Sequence, residues 1–278
     1  MNHSGTLDSV KALCVIADLV DSRGIADRGR FQRGLKASLE ALSSRRGARL
    51  LSPYTITLGD EFQALYRDSG TLLADFAWLA WAIFPQRARL SAAYDDISTD
   101  SNVREALGMD GLAFHAARDA LEGLKAEKRM ILDVSWPGSP WVALVNASLR
   151  SFAHGMEGWN ATAVCAFAGL MNGLSLDEVA EEAGVTRRMV YKAMATRGLR
   201  DAAALFAAVA AGLGRLEKEP PGRVGPGYRP GRYGAACSSP WAWSCAPSRR
   251  TTWSWRRSNA SQPFPKTEPG TIGRAWAS

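Results

Sequence analysis

Cysteine is scarce in this 278-residue chain, with four in all, and their placement indicates no disulfide framework. Cys14 sits in an apolar run and Cys165 in an apolar helical stretch, where each reads as a small buried hydrophobe. Cys237 and Cys245 have no histidine partners that would suggest zinc. No apolar run reaches the length that spans a bilayer, and the N-terminus lacks a signal-peptide pattern, so no membrane partner and a cytoplasmic location are expected. Net charge is also missing where a nucleic-acid-binding body would carry it. Residues 1–214 hold 23 Lys+Arg against 24 Asp+Glu, and the formal +7 comes from the 11 Lys+Arg and 3 Asp+Glu that follow.

Leucine is absent after Leu216, and the same stretch concentrates nine of the 13 prolines and five of the ten tryptophans. With neither helical nor strand periodicity it has no face to bury, so 214–278 is expected to be a disordered basic low-complexity tail. Two readings stay open: a basic, aromatic interaction tail, or the composition of GC-rich sequence read out of frame.

Two strings in the remaining chain carry chemistry. Ile16-Ala17-Asp18-Leu19-Val20-Asp21-Ser22-Arg23 is an apolar run ending on an acid and a polar turn. Thr57-Leu58-Gly59-Asp60-Glu61-Phe62-Gln63-Ala64 is two apolar-rich runs broken by Gly-Asp. Between Asp18 and Asp60 lie one amphipathic helix, with Phe31, Leu35, Leu39 and Leu42 on one face, and one strand. A right-handed crossover would bring that strand back parallel to the first, placing Asp18 and the hairpin tip at one end of a sheet. Carboxylates at a strand end, beside free backbone N–H groups after Leu19, are what a Mg²⁺–triphosphate site requires. The bland alternative is a helix cap and a hairpin turn.

Further along, periodicity predicts a hairpin (51–58, 61–67), an apolar helix over 71–84, a strand at 89–94, a polar loop, a helix over 110–125 and a strand at 129–134. This β-α-β-β-α-β-α-β order contains a ferredoxin-like βαββαβ unit. Trp136-Pro137-Gly138-Ser139-Pro140 breaks the pattern, and 141–213 reads as helical. The expected class is α+β: a ferredoxin-like palm over 1–138, then an all-α domain over 139–213, then the tail. Within the second domain, 175–197 follows a helix-turn-helix pattern. Ser175 and Glu178 form a capping box, Ala180 is small at the crossing, Gly184 supplies a left-handed turn and Val185 and Val190 close the corner. Thr186 would cap the second helix, whose outward positions, Thr186, Arg187, Arg188, Tyr191 and Lys192, are types that contact DNA phosphates and base edges. An ordinary helical hairpin with a solvated basic face is the other reading. A single unit with few cations binds weakly, so DNA binding implies a homodimer.

With these strings, and with Asp110-Gly111-Leu112-Ala113-Phe114-His115-Ala116-Ala117-Arg118-Asp119-Ala120-Leu121, the chain resembles the SatD family over about residues 12–200. These are bacterial proteins named for secretion and acid tolerance, and the resemblance implies a regulatory role in a stress or acid-tolerance response. Through the first three strings it is also similar to class III nucleotide cyclases and GGDEF diguanylate cyclases, whose palms bind two divalent ions. That similarity implies Asp18 and Asp60 as metal ligands, with Glu61 matching the GGDEF glutamate. It implies the backbone of Leu19, Val20 and Ser22 as a phosphate cradle and Lys125 and Arg129 as phosphate-holding cations; a helix C-terminus favouring positive charge is the other reading of those two. Ile56 replaces the purine-reading lysine of class III cyclases. Arg118 stands at the position of their transition-state arginine, but Phe114 replaces the asparagine four residues before it, which weakens the case for cyclase chemistry. His115 reads as a packed or surface side chain. The expected function is a Mg²⁺-nucleotide-binding palm coupled to a DNA-binding helix-turn-helix; the alternative is a divergent nucleotidyl cyclase or transferase acting on nucleoside triphosphates.

Overall fold

The computed structural model describes residues 10–218. Most of the predicted tail, Cys237 and Cys245 therefore lie outside the described residues. The fold is α+β, with a five-stranded mixed sheet and, among the described residues, eight α-helices.

Strand β1 (Val10–Leu19) is the middle of the sheet, and its composition follows from that position. Leu13, Val15, Ala17 and Leu19 pack into one apolar cluster, whereas Ala12, Cys14 and Ile16 pack into another on the opposite face. A strand covered on both sides has no polar face, so it reads as a continuous apolar run rather than an alternation. Helix α1 (Arg28–Arg46) begins where Asp27 accepts from the Arg30 N–H at 2.8 Å, and buries Phe31, Leu35, Leu39 and Leu42 as their spacing predicts. The chain then enters β2 (Leu50–Leu58) and β3 (Glu61–Tyr66), continues through α2 (Leu72–Ala82), β4 (Ala88–Ile97) and α3 (Leu112–Gly123), and completes the sheet with β5 (Ile131–Ser135).

The strand order is β2-β3-β1-β4-β5, antiparallel except for the parallel β4–β5 pair. Because β3 lies antiparallel between them, β1 and β2 point the same way, as the crossover reading requires. Helices α1 and α2 cover one face, while α3 covers the other through Ala113, Phe114, Ala117 and Leu121. The loop expected to be merely polar, residues 98–111, is pinned to the sheet. Ala106 is fully buried, its N–H donates to Thr55 Oγ1 at 2.8 Å and its carbonyl accepts from Gln63 Nε2.

Five helices follow: α4 (Val142–Met156), α5 (Ala161–Asn172), α6 (Leu176–Glu182), α7 (Arg187–Thr196) and α8 (Leu199–Leu216). Their aromatic core, Phe152, Trp159, Phe167 and Phe206, reaches Phe76 of α2, with Phe152–Phe206 and Phe76–Phe206 ring centres 4.4 and 5.9 Å apart. The apolar interior is thus continuous from the sheet into the helices.

A polar network crosses that same contact. Asp75 on α2, fully buried, accepts from Arg46 on α1, from Tyr66 OH on β3 at 2.6 Å and from Thr71 Oγ1 at 3.2 Å. Tyr54 OH and Tyr66 OH are 2.7 Å apart, and Arg46 Nη2 also donates to Asn172 Oδ1 on α5 at 3.0 Å. Burial pushes the Asp75 carboxyl above its ordinary value, against the pull of Arg46 and of its hydrogen bonds. Burial likewise raises Tyr54 and Tyr66, so both stay neutral donors.

Candidate functional site

Asp18 and the hairpin tip do meet. The Leu19 N–H donates to the Asp60 carbonyl at 3.1 Å, and Asp18, Leu19, Asp21, Ser22, Arg23, Gly24 and Asp60 line an open cleft of about 370 Å³ at the end of β1. After β1 the chain turns through a short 3₁₀ segment, Ser22–Gly24, entered by Asp21 in the left-handed region at φ 50°. A non-glycine residue held there is a local strain that the surrounding contacts must maintain. They include Ser22 Oγ donating to Asp60 Oδ2 at 2.5 Å and Lys128 Nζ on Asp21 Oδ1 at 2.5 Å.

The electrostatics of the cleft floor follow from strand register. Asp18 on β1 lies opposite Glu61 on β3 and opposite Arg89 on β4. Like charges directly across a ladder repel, and two cations offset this: Arg89 Nη1 donates to Asp18 Oδ2 at 2.7 Å, and Arg118 of α3 donates to Glu61 Oε2 at 2.6 Å. Arg89 is itself buried and fixed by donating Nε to the Glu127 carbonyl at 2.8 Å. Burial pushes the Asp18 carboxyl above its ordinary value, Arg89 pulls it back, Asp60 and Glu61 push it up again, and Lys125 lowers it.

Three expectations change. The N–H groups of Leu19 and Val20 are not free for phosphate, because they donate to the carbonyls of Asp60 and Arg87. Among the described residues, the amides of this turn left without a protein acceptor are those of Asp21, Ser22 and Arg23, one step further along. Glu61 lies opposite Asp18, but its carboxylate is not free as expected: it is held by Arg118 and by Thr57 Oγ1 at 3.0 Å. Among the described residues no three Asp, Glu, His or Cys side chains form a group able to hold a metal ion alone. Lys125 and Arg129 do not act as a pair. Arg129 is committed to Glu127, His154 and Glu157, toward α4, while Lys125 pairs with Glu122 at 2.6 Å and is the one that Asp18 feels. His115 is exposed and meets Asp110 at 3.0 Å, a surface histidine.

Sequence reading passed over Arg89, the counter-charge of Asp18. Its signal was available: a lone cation at the start of an apolar strand, on the same face as Ser91 by alternation. It also passed over Gln86, which donates to the Val20 carbonyl and so braces the cleft loop from below.

Residues 12–130 match the family model of SatD. Over this segment the chain is similar to the SatD family. The segment begins in β1 and ends just before β5, so every cleft-lining residue lies inside the SatD segment and α4 to α8 lie outside it. No curated protein matched the chain.

The second cluster of predicted site residues lies beyond the SatD segment. Ser175 and Glu178 form the reciprocal capping box, with Ser175 N–H donating to Glu178 Oε2 at 2.7 Å. That bond holds the exposed Glu178 carboxyl below its ordinary value. Gly184 takes φ +63°, the Val185 N–H donates to the Ala180 carbonyl at 2.9 Å, and Thr186 caps α7 by accepting from the Met189 N–H at 3.4 Å. Val179, Ala180, Val190 and Met194 are buried, and Thr186, Arg187, Arg188, Tyr191 and Lys192 are all exposed. Arg187 reaches Asp177 at 3.3 Å, and Arg200 of α8 lies over the Tyr191 ring. Among the described residues no helix is long and apolar enough to cross a membrane.

Proposed function

We propose that this SatD-like chain is a nucleotide-responsive DNA-binding regulator, in which the cleft beside β1 holds a Mg²⁺-nucleoside triphosphate and α6–α7 is a helix-turn-helix. The observation that carries the reading is the meeting of Asp18 and Asp60 in one cleft, beside the unbonded amides of Asp21, Ser22 and Arg23. Mg²⁺ keeps several waters and is held by one or two carboxylates plus phosphate oxygens, so two acids suit it where a cage of three is not assembled. Asp18 and Asp60 each give one carboxylate oxygen to Arg89 or Ser22, and their other oxygens are the ones left to an ion. When bound, the ion would neutralise phosphate charge at that point. The three amides, Lys125 and Lys128 would orient the phosphates around it.

The strand order β2-β3-β1-β4 with antiparallel neighbours is that of a ferredoxin-like palm, which supports the cyclase-like reading of this half. Capping box, left-handed glycine and an exposed α7 face bearing Arg187, Arg188, Tyr191 and Lys192 support the helix-turn-helix.

Helix α2 touches both halves. At one end Asp75 joins β3 and α1, and Arg46 continues that network to Asn172. At the other, Trp81 Nε1 donates to Glu182 Oε1 on α6 at 3.4 Å, and the turn after α2 holds Val20 through Gln86 and Arg87. A nucleotide that moved the Val20–Gly24 turn would bear on α2 and, through it, on α6. Coupling of about 1–3 kcal/mol between the two ligands is the usual scale.

The test is DNA affinity measured with and without a non-hydrolysable nucleoside triphosphate and Mg²⁺. A change of about 5- to 150-fold supports the regulator. Absence of DNA binding at low salt, together with release of pyrophosphate and a cyclic or linear nucleotide from the triphosphate, would replace it with a nucleotidyl cyclase or transferase.

A further inference from the structure

A second cavity lies behind the cleft, where the turn after α2 meets the start of β5 and the ends of α4 and α5. Its volume is about 130 Å³, and its walls include Ala80, Phe84, Met130, Met156, Trp159 and Val164. An apolar cavity of about 150 Å³ stays dry and accepts a benzene ring, so this one is of single-ring size. Two thioethers and an indole in its wall favour an aromatic occupant over an aliphatic one, because sulfur and ring edges both attract a π-system. The rim is polar and asymmetric. Gln86 gives its side-chain N–H to the Val20 carbonyl, which leaves its amide oxygen as an acceptor, and Glu157 adds a carboxylate 3.9 Å from Arg129 Nε. Arg87, the rim cation, directs Nη1 to the Lys128 carbonyl at 3.1 Å.

We propose that this cavity is a binding site for a compact single-ring aromatic molecule carrying one hydrogen-bond donor, a hydroxyl or ring N–H, which points to Gln86 and Glu157. It is distinct from the nucleotide cleft, and its ligand is recognised without metal. A ring with no donor fills the space but gives the rim acceptors no hydrogen bond.

Isothermal titration of the full chain in EDTA, with no nucleotide present, tests this with phenol, indole and toluene as probes. Phenol and indole are expected to bind saturably and toluene more weakly. Ala80→Leu or Ala153→Leu, which put carbon into the cavity, should weaken phenol by about tenfold or more, since obstruction of a pocket by even one methylene has that scale. Met156→Ala enlarges the cavity and should extend binding to 1-naphthol, which gives a readout if the filled variants do not fold. No saturable binding of any probe, toluene bound as tightly as phenol, or phenol affinity unchanged in a folded Ala80→Leu protein would overturn the proposal. Asp60→Asn should leave phenol binding intact, so failure of the nucleotide reading and failure of this one give different results.

Discussion

Removing the Asp75 carboxylate should be among the most damaging single changes in the described fold. Asp75 is fully buried and accepts from Arg46, Tyr66 and Thr71 at once, so Asp75→Ala strands a largely buried guanidinium whose other side-chain partner is Asn172. Breaking a buried pair by deleting one member costs about 3–5 kcal/mol. At about 2–4 °C per kcal/mol for a folded unit of this size, the melting temperature should fall by about 6–20 °C. Calorimetry or urea unfolding reads the loss directly. Because burial raises the Asp75 carboxyl, its ionised form works against folding above that raised value. The wild type should therefore gain stability relative to Asp75→Asn as pH falls from neutrality toward the ordinary carboxylate value of 3.8. Replacing both partners, Asp75→Leu with Arg46→Met, should cost less than Asp75→Ala alone, since no charge is left buried. A loss under about 1 kcal/mol for Asp75→Ala, or a double variant as damaged as the sum of its parts, would refute the reasoning.

A Cβ at Gly169 would overlap Val179 Cγ2 across the α5–α6 contact, so Gly169→Ala should cost about 1–3 kcal/mol. Val179→Ala in the same chain should recover part of that loss in thermal unfolding. Asp18→Asn should leave the metal-free protein as stable or slightly more so: its carboxyl is raised chiefly by burial, and an amide oxygen can still accept from Arg89. The difference from wild type should shrink as pH falls toward 3.8, and a large destabilisation at neutral pH would show that the Asp18–Arg89 pair is needed for the fold. Alanine at Arg187, Arg188 and Lys192 should abolish DNA binding through α7. Each single change should lower the salt slope of log affinity by about 0.9 in gel-shift titrations, and an unchanged slope would remove α7 from the interface.

Much of this was legible in the sequence because local rules and tertiary placement agree. The β1 run, the α1 face of Phe31, Leu35, Leu39 and Leu42, and the Ser175–Glu178 box are all set by spacing within a few residues, and spacing is what a sequence displays. The meeting of Asp18 with Asp60 was legible too, since one crossover and one hairpin fix it. What failed depended on partners remote in the chain. Arg89 finds Asp18 71 residues away, Glu61 is taken by an arginine 57 residues on, and Arg129 turns toward α4 because His154 and Glu157 are there. Backbone donors mislead in the same way: Leu19 and Val20 looked free until the hairpin tip and the turn after α2 supplied carbonyls.

The central claim, that the β1 cleft takes a Mg²⁺-nucleotide, is tested most directly by titrating the full chain with nucleoside triphosphates in Mg²⁺ or EDTA, beside Asp18→Asn and Asp60→Asn. The account predicts saturable binding in Mg²⁺ that is lost in EDTA and in both variants, while their circular dichroism remains that of the wild type and their melting temperature is no lower. Triphosphate binding that persists in EDTA and in both folded variants, or no binding by the wild type at all, would contradict it.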